Sequence, residues 1–341
     1  MFASIRYALT LCAMATELAV IMFAVEQNEH SQLLQPTYKN PASANDSALR
    51  ELGRYLFYDP ILSIDGSTSC ATCHQQFSAF AHIDHALSHG VQGRIGRRNV
   101  PALQNLAWQT SFMWDGAVRQ LDMQGLSPIT GHDELGETLP NVLQKISASA
   151  LYKQQFIAAY GSDTISIPRI ISALGRFGAS LTSFNSRYDR YRRGTDTLAA
   201  NEQRGYKLFQ QHCNSCHSEP LFTNNTFVSS GLSVDTLLND EGRYRITSDE
   251  FDRHRFRVPS LRNIAVTYPY MHDGRFKRLR DVMSFYGDPS RIESHADPRV
   301  EAIGVLSDAD RKDIIAFLLT LTDHDFLRSP KHADPFVSIH R

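Results

Sequence analysis

Residues 70–74 read CATCH and residues 213–217 read CNSCH, and these two stretches decide how the chain folds. In each stretch two cysteines stand about one helical turn apart, and a histidine follows the second cysteine directly. Two thiols at that separation can form thioethers to both vinyl groups of one haem, and the adjacent histidine can bind the iron from the proximal side. The sequence therefore predicts two covalently bound haem c groups. The predicted attachment and iron-binding residues are Cys70, Cys73, His74, Cys213, Cys216 and His217.

Other uses of paired cysteines explain these stretches less well. A thioredoxin-like redox site or a zinc site would leave the histidine after each pair without a role, and no βαβ pattern surrounds either pair. The five cysteines of the chain are also too sparse for a disulfide framework and would leave one unpaired.

The composition indicates a globular chain of two domains. Its 341 residues exceed the usual size of one domain, roughly 100–200 residues. Hydrophobic residues make up 42% and charged residues 21%, which excludes a disordered, collagen-like or multi-span membrane protein. The formal net charge of −1 supplies no basic field for nucleic acid, so no nucleic-acid partner is expected.

Arginine dominates the basic residues, since only 7 of the 35 are lysine. Guanidinium groups grip carboxylates bidentately, so this bias favours carboxylates or haem propionates as partners. Arg253, Arg255 and Arg257 form a cluster that is a candidate for such pairing, and solvated surface positions are the alternative.

Residues 1–26 have the pattern of an export signal. A short basic start precedes an apolar stretch that Glu17 interrupts, and this stretch is short or marginal for a spanning helix. Export to the periplasm agrees with covalent haem attachment, and Cys12 would leave with the signal. A buried N-terminal helix and a lipid anchor on Cys12 are the alternatives.

The chain repeats part of its own sequence. Residues 100–107 and 258–265 share the pattern VPxLxNxA. The same shift of 158 positions aligns MWDG at residues 113–116 with MHDG at residues 271–274. Two halves built on one plan, with one haem each, are the economical interpretation.

Helical spacing surrounds these repeats. Gly53 and Gly205 each precede a Leu-Phe pair on the same helical face, and a glycine there permits close packing against another helix. Residues 168–184 also have helical apolar spacing, and no segment alternates long enough to indicate a sheet. We therefore expect a mostly α fold of two cytochrome c-like domains, at residues 45–195 and 196–328, each with one covalently bound haem c.

Together these features resemble the bacterial di-haem cytochrome c peroxidase family, including its MauG-type branch. The resemblance extends over about residues 45–325 and includes LFYDP at residues 56–60, RNVP at 98–101 and NSRYDRYRRG at 185–194. In this family the N-terminal haem is the peroxidatic site, and the C-terminal haem relays or stores electrons.

For the N-terminal haem, the resemblance implies that Glu134 is the acid/base for peroxide cleavage and that Gln124 helps to orient the peroxide. Many family members place a histidine on the distal side of this iron, and His89 lies near the corresponding position. His82 and His85 are nearby competitors, and MauG-type members leave the distal position open.

Two further residues match family positions between the haems. Trp114 falls where the family places a tryptophan that can pass an electron or a hole, and a buried core aromatic is the alternative. Asn99 resembles a ligand of the inter-haem calcium ion, a hard cation that suits amide and backbone oxygens.

The distal ligand of the second haem separates the branches of the family. Peroxidases use a methionine, which raises the potential, whereas MauG-type proteins use a tyrosine. Tyr286 aligns at the deciding position and is the expected ligand. Met271 is the main rival, although the repeat places Met113 at the same point of the other half, and Met283 is a lesser rival.

The expected function is that of an exported di-haem oxidoreductase that reacts with hydrogen peroxide, either MauG-like or a cytochrome c peroxidase. The expected partner is a small electron donor, a cytochrome c or a cupredoxin, or else a protein or organic substrate to be oxidised. The resemblance also suggests a homodimer. A non-catalytic periplasmic di-haem electron-transfer cytochrome is the alternative function.

Overall fold

The computed structural model describes residues 35–38 and 45–337. The predicted export signal at residues 1–26, with Cys12, therefore lies outside the described residues. No helix within the described residues is long and apolar enough to cross a membrane. The described chain is mostly helical and consists of two halves joined by one short helix.

The N-terminal half is a bundle of helices around an apolar core. Leu52, Leu56, Tyr152, Phe156 and Ile170 are fully buried in that core. The helices are α1 (Asp46–Tyr58), α2 (Cys70–Cys73), α3 (Leu126–Thr130), α4 (Leu139–Ala148), α5 (Ala150–Tyr160) and α6 (Ile167–Ser180), and the connecting helix is α7 (Arg187–Arg192).

The C-terminal half has its own core around Phe209, Phe222 and Phe317. Its helices are α8 (Ala200–His212), α9 (Tyr244–Thr247), α10 (Leu279–Tyr286), α11 (Pro298–Glu301), α12 (Asp308–Leu319) and α13 (His324–Arg328). Two short strands, β1 (Phe227–Val228) and β2 (Phe256–Arg257), pair antiparallel and form the one sheet of the described residues.

Short 3-10 helices occupy several of the remaining intervals. They span Pro60–Leu62, Gln76–Ser78, Val91–Gly93, Leu106–Trp108, Leu121–Gly125, Glu250–Asp252, Ile264–Val266, Pro289–Arg291 and Pro330–His332.

Each half is built on one close helix crossing. A Cβ added at Gly53 of α1 would lie 2.0 Å from the carbonyl oxygen of Ala173 in α6. A Cβ added at Gly205 of α8 would lie 1.9 Å from the carbonyl oxygen of Asp313 in α12. These distances leave room only for glycine, so the close packing that the sequence indicated occurs in both halves against the last long helix of each.

The internal repeat has the same backbone in both copies. Asn105 and Asn263 both have φ of 58°, in the left-handed region. The backbone N–H of Asn105 donates to the Leu181 carbonyl at 2.7 Å, and that of Asn263 donates to the Leu321 carbonyl at 3.0 Å. The Asn105 side chain also bonds to the carbonyl of Ser183 at 3.1 Å. The helix predicted at residues 168–184 ends at Ser180. Beyond it, the carbonyls of Leu181 and Ser183 accept hydrogen bonds from Asn105 and do not continue the helix.

The two halves join through a reciprocal pair of backbone hydrogen bonds. The N–H of Asn99 donates to the carbonyl of His272, and the N–H of Arg257 donates to the carbonyl of Trp114, both at 2.7 Å. Asn99 and Arg257 are equivalent in the repeat, and so are Trp114 and His272. Each half thus offers the same donor and the same acceptor to the other, which is the pattern of a twofold interface.

A buried ionic network reinforces this junction. The Arg98 guanidinium donates to Asp240 of the other half at 2.5 and 2.7 Å, and to Asp115 at 2.6 Å. Both carboxylates are buried, so each needs such a partner.

The C-terminal segment returns to the first half of the molecule. Phe326 packs against Phe80 with ring centroids 5.9 Å apart. The Tyr58 hydroxyl donates to the His332 carbonyl at 2.7 Å, and Arg54 donates to the Ala333 carbonyl at 2.6 Å. The residues after α12 therefore help to close the N-terminal core, which the sequence did not indicate.

The glycine crossing leads to a stability prediction. We expect Gly53→Ala to lower the free energy of unfolding by about 1–3 kcal/mol or more, because the new methyl group overlaps a backbone oxygen that cannot move away cheaply. Denaturant unfolding of the haem-loaded protein measures the change.

Gly205→Ala is the matched test in the other half. Its Cβ would lie 1.9 Å from the Asp313 carbonyl oxygen, so a loss of stability of similar size is expected. Wild-type stability of either variant would contradict the close crossing.

Candidate functional site

The N-terminal half contains a cavity of about 520 Å³ beside the first cysteine pair. Cys70, Cys73 and His74 line one part of it, and Gln124 and Glu134 also line it. The structure therefore brings together the predicted attachment residues and the two residues expected to act on peroxide.

The C-terminal half contains a second cavity, of about 230 Å³, beside the other cysteine pair. Its lining includes all three attachment residues of this half and the three candidate distal ligands. These residues are Cys213, Cys216, His217, Tyr286, Met271 and Met283. This cavity is the smaller of the two.

Backbone carbonyls orient both histidines. His74 Nδ1 lies 2.7 Å from the Phe80 carbonyl oxygen. His217 Nδ1 lies 3.2 Å from the Phe222 carbonyl oxygen and 3.1 Å from that of Pro259. A carbonyl only accepts, so in each ring Nδ1 carries the proton and Nε2 keeps its lone pair for a metal. Burial also lowers the pKa of both imidazoles to about 4, which keeps them neutral.

The chemistry of the cysteines fits covalent haem. Burial raises the pKa of Cys70 and of Cys213 to about 12, so neither cavity favours a thiolate. A thioether sulfur carries neither a proton nor a charge, and it suits this apolar setting. A thiolate-bound metal suits it less. Two cysteine sulfurs placed for thioether bonds and one imidazole with a free Nε2 for the iron are what a c-type haem requires.

Glu134 reaches the first cavity from the turn that follows α3. This turn is closed by the Glu134 N–H, which donates to the Gly131 carbonyl at 3.0 Å. Burial raises the pKa of the Glu134 carboxyl, and the neighbouring charge of Asp133 raises it further. The charge of Glu134 also contributes to the raised pKa values of Cys70 and Cys73, as expected for a carboxylate facing them. A buried carboxyl with a raised pKa that lines a cavity is a candidate for moving a proton there.

The histidines near the first cavity differ in position. His89 lines the cavity, and its ring stacks on that of His85 with centroids 4.1 Å apart. His82 is buried and lies 3.7 Å from Asp84. Among these three histidines His89 is therefore the one that lines the same cavity as His74.

Trp114 lies between the two cavities. It is the one aromatic side chain of the described residues that lines both. Its indole N–H donates to the Asn99 carbonyl at 2.8 Å, and Asn99 also lines both cavities. The described residues contain no group of three or more His, Cys, Asp or Glu that could hold a metal ion. An ion at Asn99 would therefore depend on amide and backbone oxygens.

The candidate distal ligands of the second haem all line its cavity. Tyr286 and Met283 both come from α10, whereas Met271 lies on a turn with φ of 74°. Met113, its counterpart in the repeat, has φ of 67° and lines the first cavity. Burial raises the pKa of the Tyr286 phenol, which has no hydrogen-bond partner among the described residues. Such a phenol loses its proton readily only when a cation such as iron binds its oxygen.

The carbonyls that orient the histidines could not be found by sequence reasoning. Phe80 and Phe222 contribute backbone oxygens, which every residue has, so their identity carries no signal. The sequence singled out Pro259 only as a member of the repeat, with no sign that its carbonyl contacts His217.

Family models match both halves of the chain. A model described as di-haem cytochrome c peroxidase matches residues 47–197, and a cytochrome c model matches residues 202–322. The match to two cytochrome c-type units confirms the predicted fold class.

Individual relatives are named as MauG proteins or as cytochrome c peroxidases. The chain is 34% identical to the methylamine utilization protein MauG of Methylorubrum extorquens, over 79% of this chain and 77% of that protein. It is 29% identical to the cytochrome c551 peroxidase of Nitrosomonas europaea, over 93% and 92% of the two chains. A solved structure of a MauG-like protein associated with microbial copper homeostasis superposes with a TM-score of 0.79 at 31% identity, covering 89% of this chain and 97% of that one.

Proposed function

This chain belongs to the di-haem cytochrome c peroxidase family, which includes MauG, and we propose that its N-terminal haem is the site of hydrogen peroxide reduction. Membership makes the chain an oxidoreductase of the di-haem peroxidase type with haem c as its cofactor, as the sequence predicted. The proposal concerns the roles of the two halves, residues 45–195 and 196–328, and of the residues within them.

One observation carries this assignment. A buried carboxyl with a raised pKa, Glu134, lines the same cavity as His74, together with the amide of Gln124. The cavity of the C-terminal half has no aspartate or glutamate in its lining among the described residues. A site that cleaves peroxide needs a group that moves a proton, so the first cavity is the suitable one.

When bound at His74, the haem supplies an iron position for peroxide and the electrons for its reduction. The Glu134 carboxylate accepts the proton from one peroxide oxygen and returns it to the other, which then leaves as water. The Gln124 amide holds the peroxide by hydrogen bonds. The apolar lining around Leu121 and Ile129 excludes bulk water from this proton transfer. In this proposal His89 lines the site without binding the iron, as in MauG-type members.

Trp114 is the proposed path for electrons between the two haems. It lines both cavities, and its indole is held by a hydrogen bond to Asn99. At the second haem, Tyr286 is the proposed distal ligand, with Met271 as the rival. A phenolate there stabilises ferric iron, which favours the MauG-type use of the oxidising equivalents.

The expected partner differs between the peroxidases and the MauG-type proteins of this family. A peroxidase of this family receives electrons from a small cytochrome c or cupredoxin, and a MauG-type protein oxidises a protein or organic substrate. We propose the second for this chain on account of Tyr286, with export to the periplasm, a calcium ion at Asn99 and a homodimer as further parts of the proposal.

Glu134→Gln tests the acid/base role. We expect the rate of peroxide consumption to fall by about 10²–10⁴-fold, because the amide cannot accept a proton. In the wild-type protein, activity should fall as the pH drops through the Glu134 pKa, since the carboxyl must be ionised to accept the proton. That pKa is raised above 4.5, so the acid limb of kcat/KM should lie above pH 4.5.

Asp133→Asn is the matched control for this test. It removes the neighbouring charge that helps to raise the Glu134 pKa, so the acid limb should move to lower pH while the maximal rate is kept. A Glu134→Gln variant with the wild-type rate and pH profile would rule out the assignment.

Tyr286→Phe tests the distal ligand of the second haem. We expect the absorption and electron paramagnetic resonance spectra of the C-terminal haem alone to change, because the phenol oxygen is lost from its iron. Met271→Leu should leave both haem spectra as they are. If Met271→Leu changed the spectra of the C-terminal haem and Tyr286→Phe did not, Met271 would be the ligand.

A further inference from the structure

Three arginines at alternate positions, Arg253, Arg255 and Arg257, differ sharply in their partners. Arg253 pairs with Glu250 at 2.8 Å and also with Glu241. Arg255 lies 3.5 Å from Asp297 and donates to two backbone carbonyls. Two of the three guanidinium groups are therefore occupied by groups of the protein itself.

Arg257 has no such partner among the described residues. Its side chain is buried, with a residue exposure of 5%, and its Nε donates to the Met113 carbonyl at 3.3 Å. Its Nη1 is buried with no hydrogen-bond partner. A buried guanidinium without an anion is unfavourable, because its charge loses hydration and nothing replaces it.

The position of Arg257 indicates the missing anion. Arg257 lines the cavity that also contains Cys213, Cys216 and His217. Arg299 is the other arginine in this lining, and it is already paired with Asp297 at 2.8 and 3.0 Å. No carboxylate of the protein lines the cavity within the described ranges, so the anion must come from the molecule that occupies it.

We propose that Arg257 binds a propionate of the C-terminal haem and thereby sets the reduction potential of that haem. The guanidinium fork matches a carboxylate, and a haem carries two. The strand pairing of β2 and the bond from the Arg257 N–H to Trp114 fix the backbone from which this side chain extends. Arg257 is thus a positioning residue that acts on the haem at its edge, away from the iron.

The inference rests on the proposed presence of a haem in the second cavity, and the two can fail separately. Haem content per chain, measured on the alkaline pyridine derivative, shows whether both cavities are loaded. A wild-type chain without haem in the second cavity would overturn this inference and the proposed roles of Tyr286 and Trp114 together, whereas the peroxide site at His74 is tested separately by Glu134→Gln. Two haems, with no effect of Arg257 on either, would overturn the inference alone.

The test is a spectroelectrochemical titration of the purified di-haem protein and its Arg257→Gln variant. We expect the midpoint potential of the C-terminal haem to shift to a lower value, because loss of a nearby positive charge disfavours the added electron. The potential of the N-terminal haem should stay unchanged. Arg253→Gln, which removes an arginine paired with surface carboxylates, should leave both potentials unchanged.

A second variant keeps the inference testable if Arg257→Gln fails to bind haem. Arg257→Lys retains the charge, so the potential should stay closer to that of the wild-type protein. The propionate bending band in the resonance Raman spectrum should nevertheless move, because an ammonium replaces the guanidinium fork. An unchanged propionate band in Arg257→Lys, or an unchanged potential in haem-loaded Arg257→Gln, would overturn the inference.

Discussion

The reciprocal pair of hydrogen bonds between the halves is the constraint on which the arrangement of the molecule depends. Asn99 donates to His272 and Arg257 donates to Trp114, and each bond is the image of the other under the internal repeat. Two copies of one fold meet through the same surface, so the same backbone hydrogen bond forms twice. The consequence is that Trp114 lies at the junction and lines both cavities.

Within each half, the same plan creates the cavity. A glycine lets two helices cross closely, at Gly53 in the first half and Gly205 in the second. The cysteine pair follows the first of these helices, and the next histidine is held at Nδ1 by a backbone carbonyl. Function then diverges through the residues that the repeat does not share. Glu134 contributes a carboxyl to one cavity, and Tyr286 contributes a phenol to the other.

Much of this organisation could be predicted from the sequence because it is encoded locally. The cysteine spacing predicts the attachment sites, and the repeat predicts two equivalent halves, whose turns at Asn105 and Asn263 have the same φ. Contacts between distant residues carry no such local signal. Arg98 pairs with Asp240, which lies 142 positions away in the sequence. Phe326 packs against Phe80 of the first half through apolar contacts that have no periodic pattern. The same holds for the arginine cluster, in which the fold alone decides which guanidinium lacks a carboxylate.

The role of Trp114 as the connection between the halves is the central claim, and rapid mixing of the as-isolated protein with hydrogen peroxide tests it most directly. In the wild-type protein, the absorption bands of both haems should change together. In Trp114→Phe the N-terminal haem should still respond at once, and the C-terminal haem should respond more slowly. Trp108→Phe is the control, because Trp108 packs against Phe184 and lines neither cavity. A simultaneous response of both haems in Trp114→Phe, at the wild-type rate, would contradict the account.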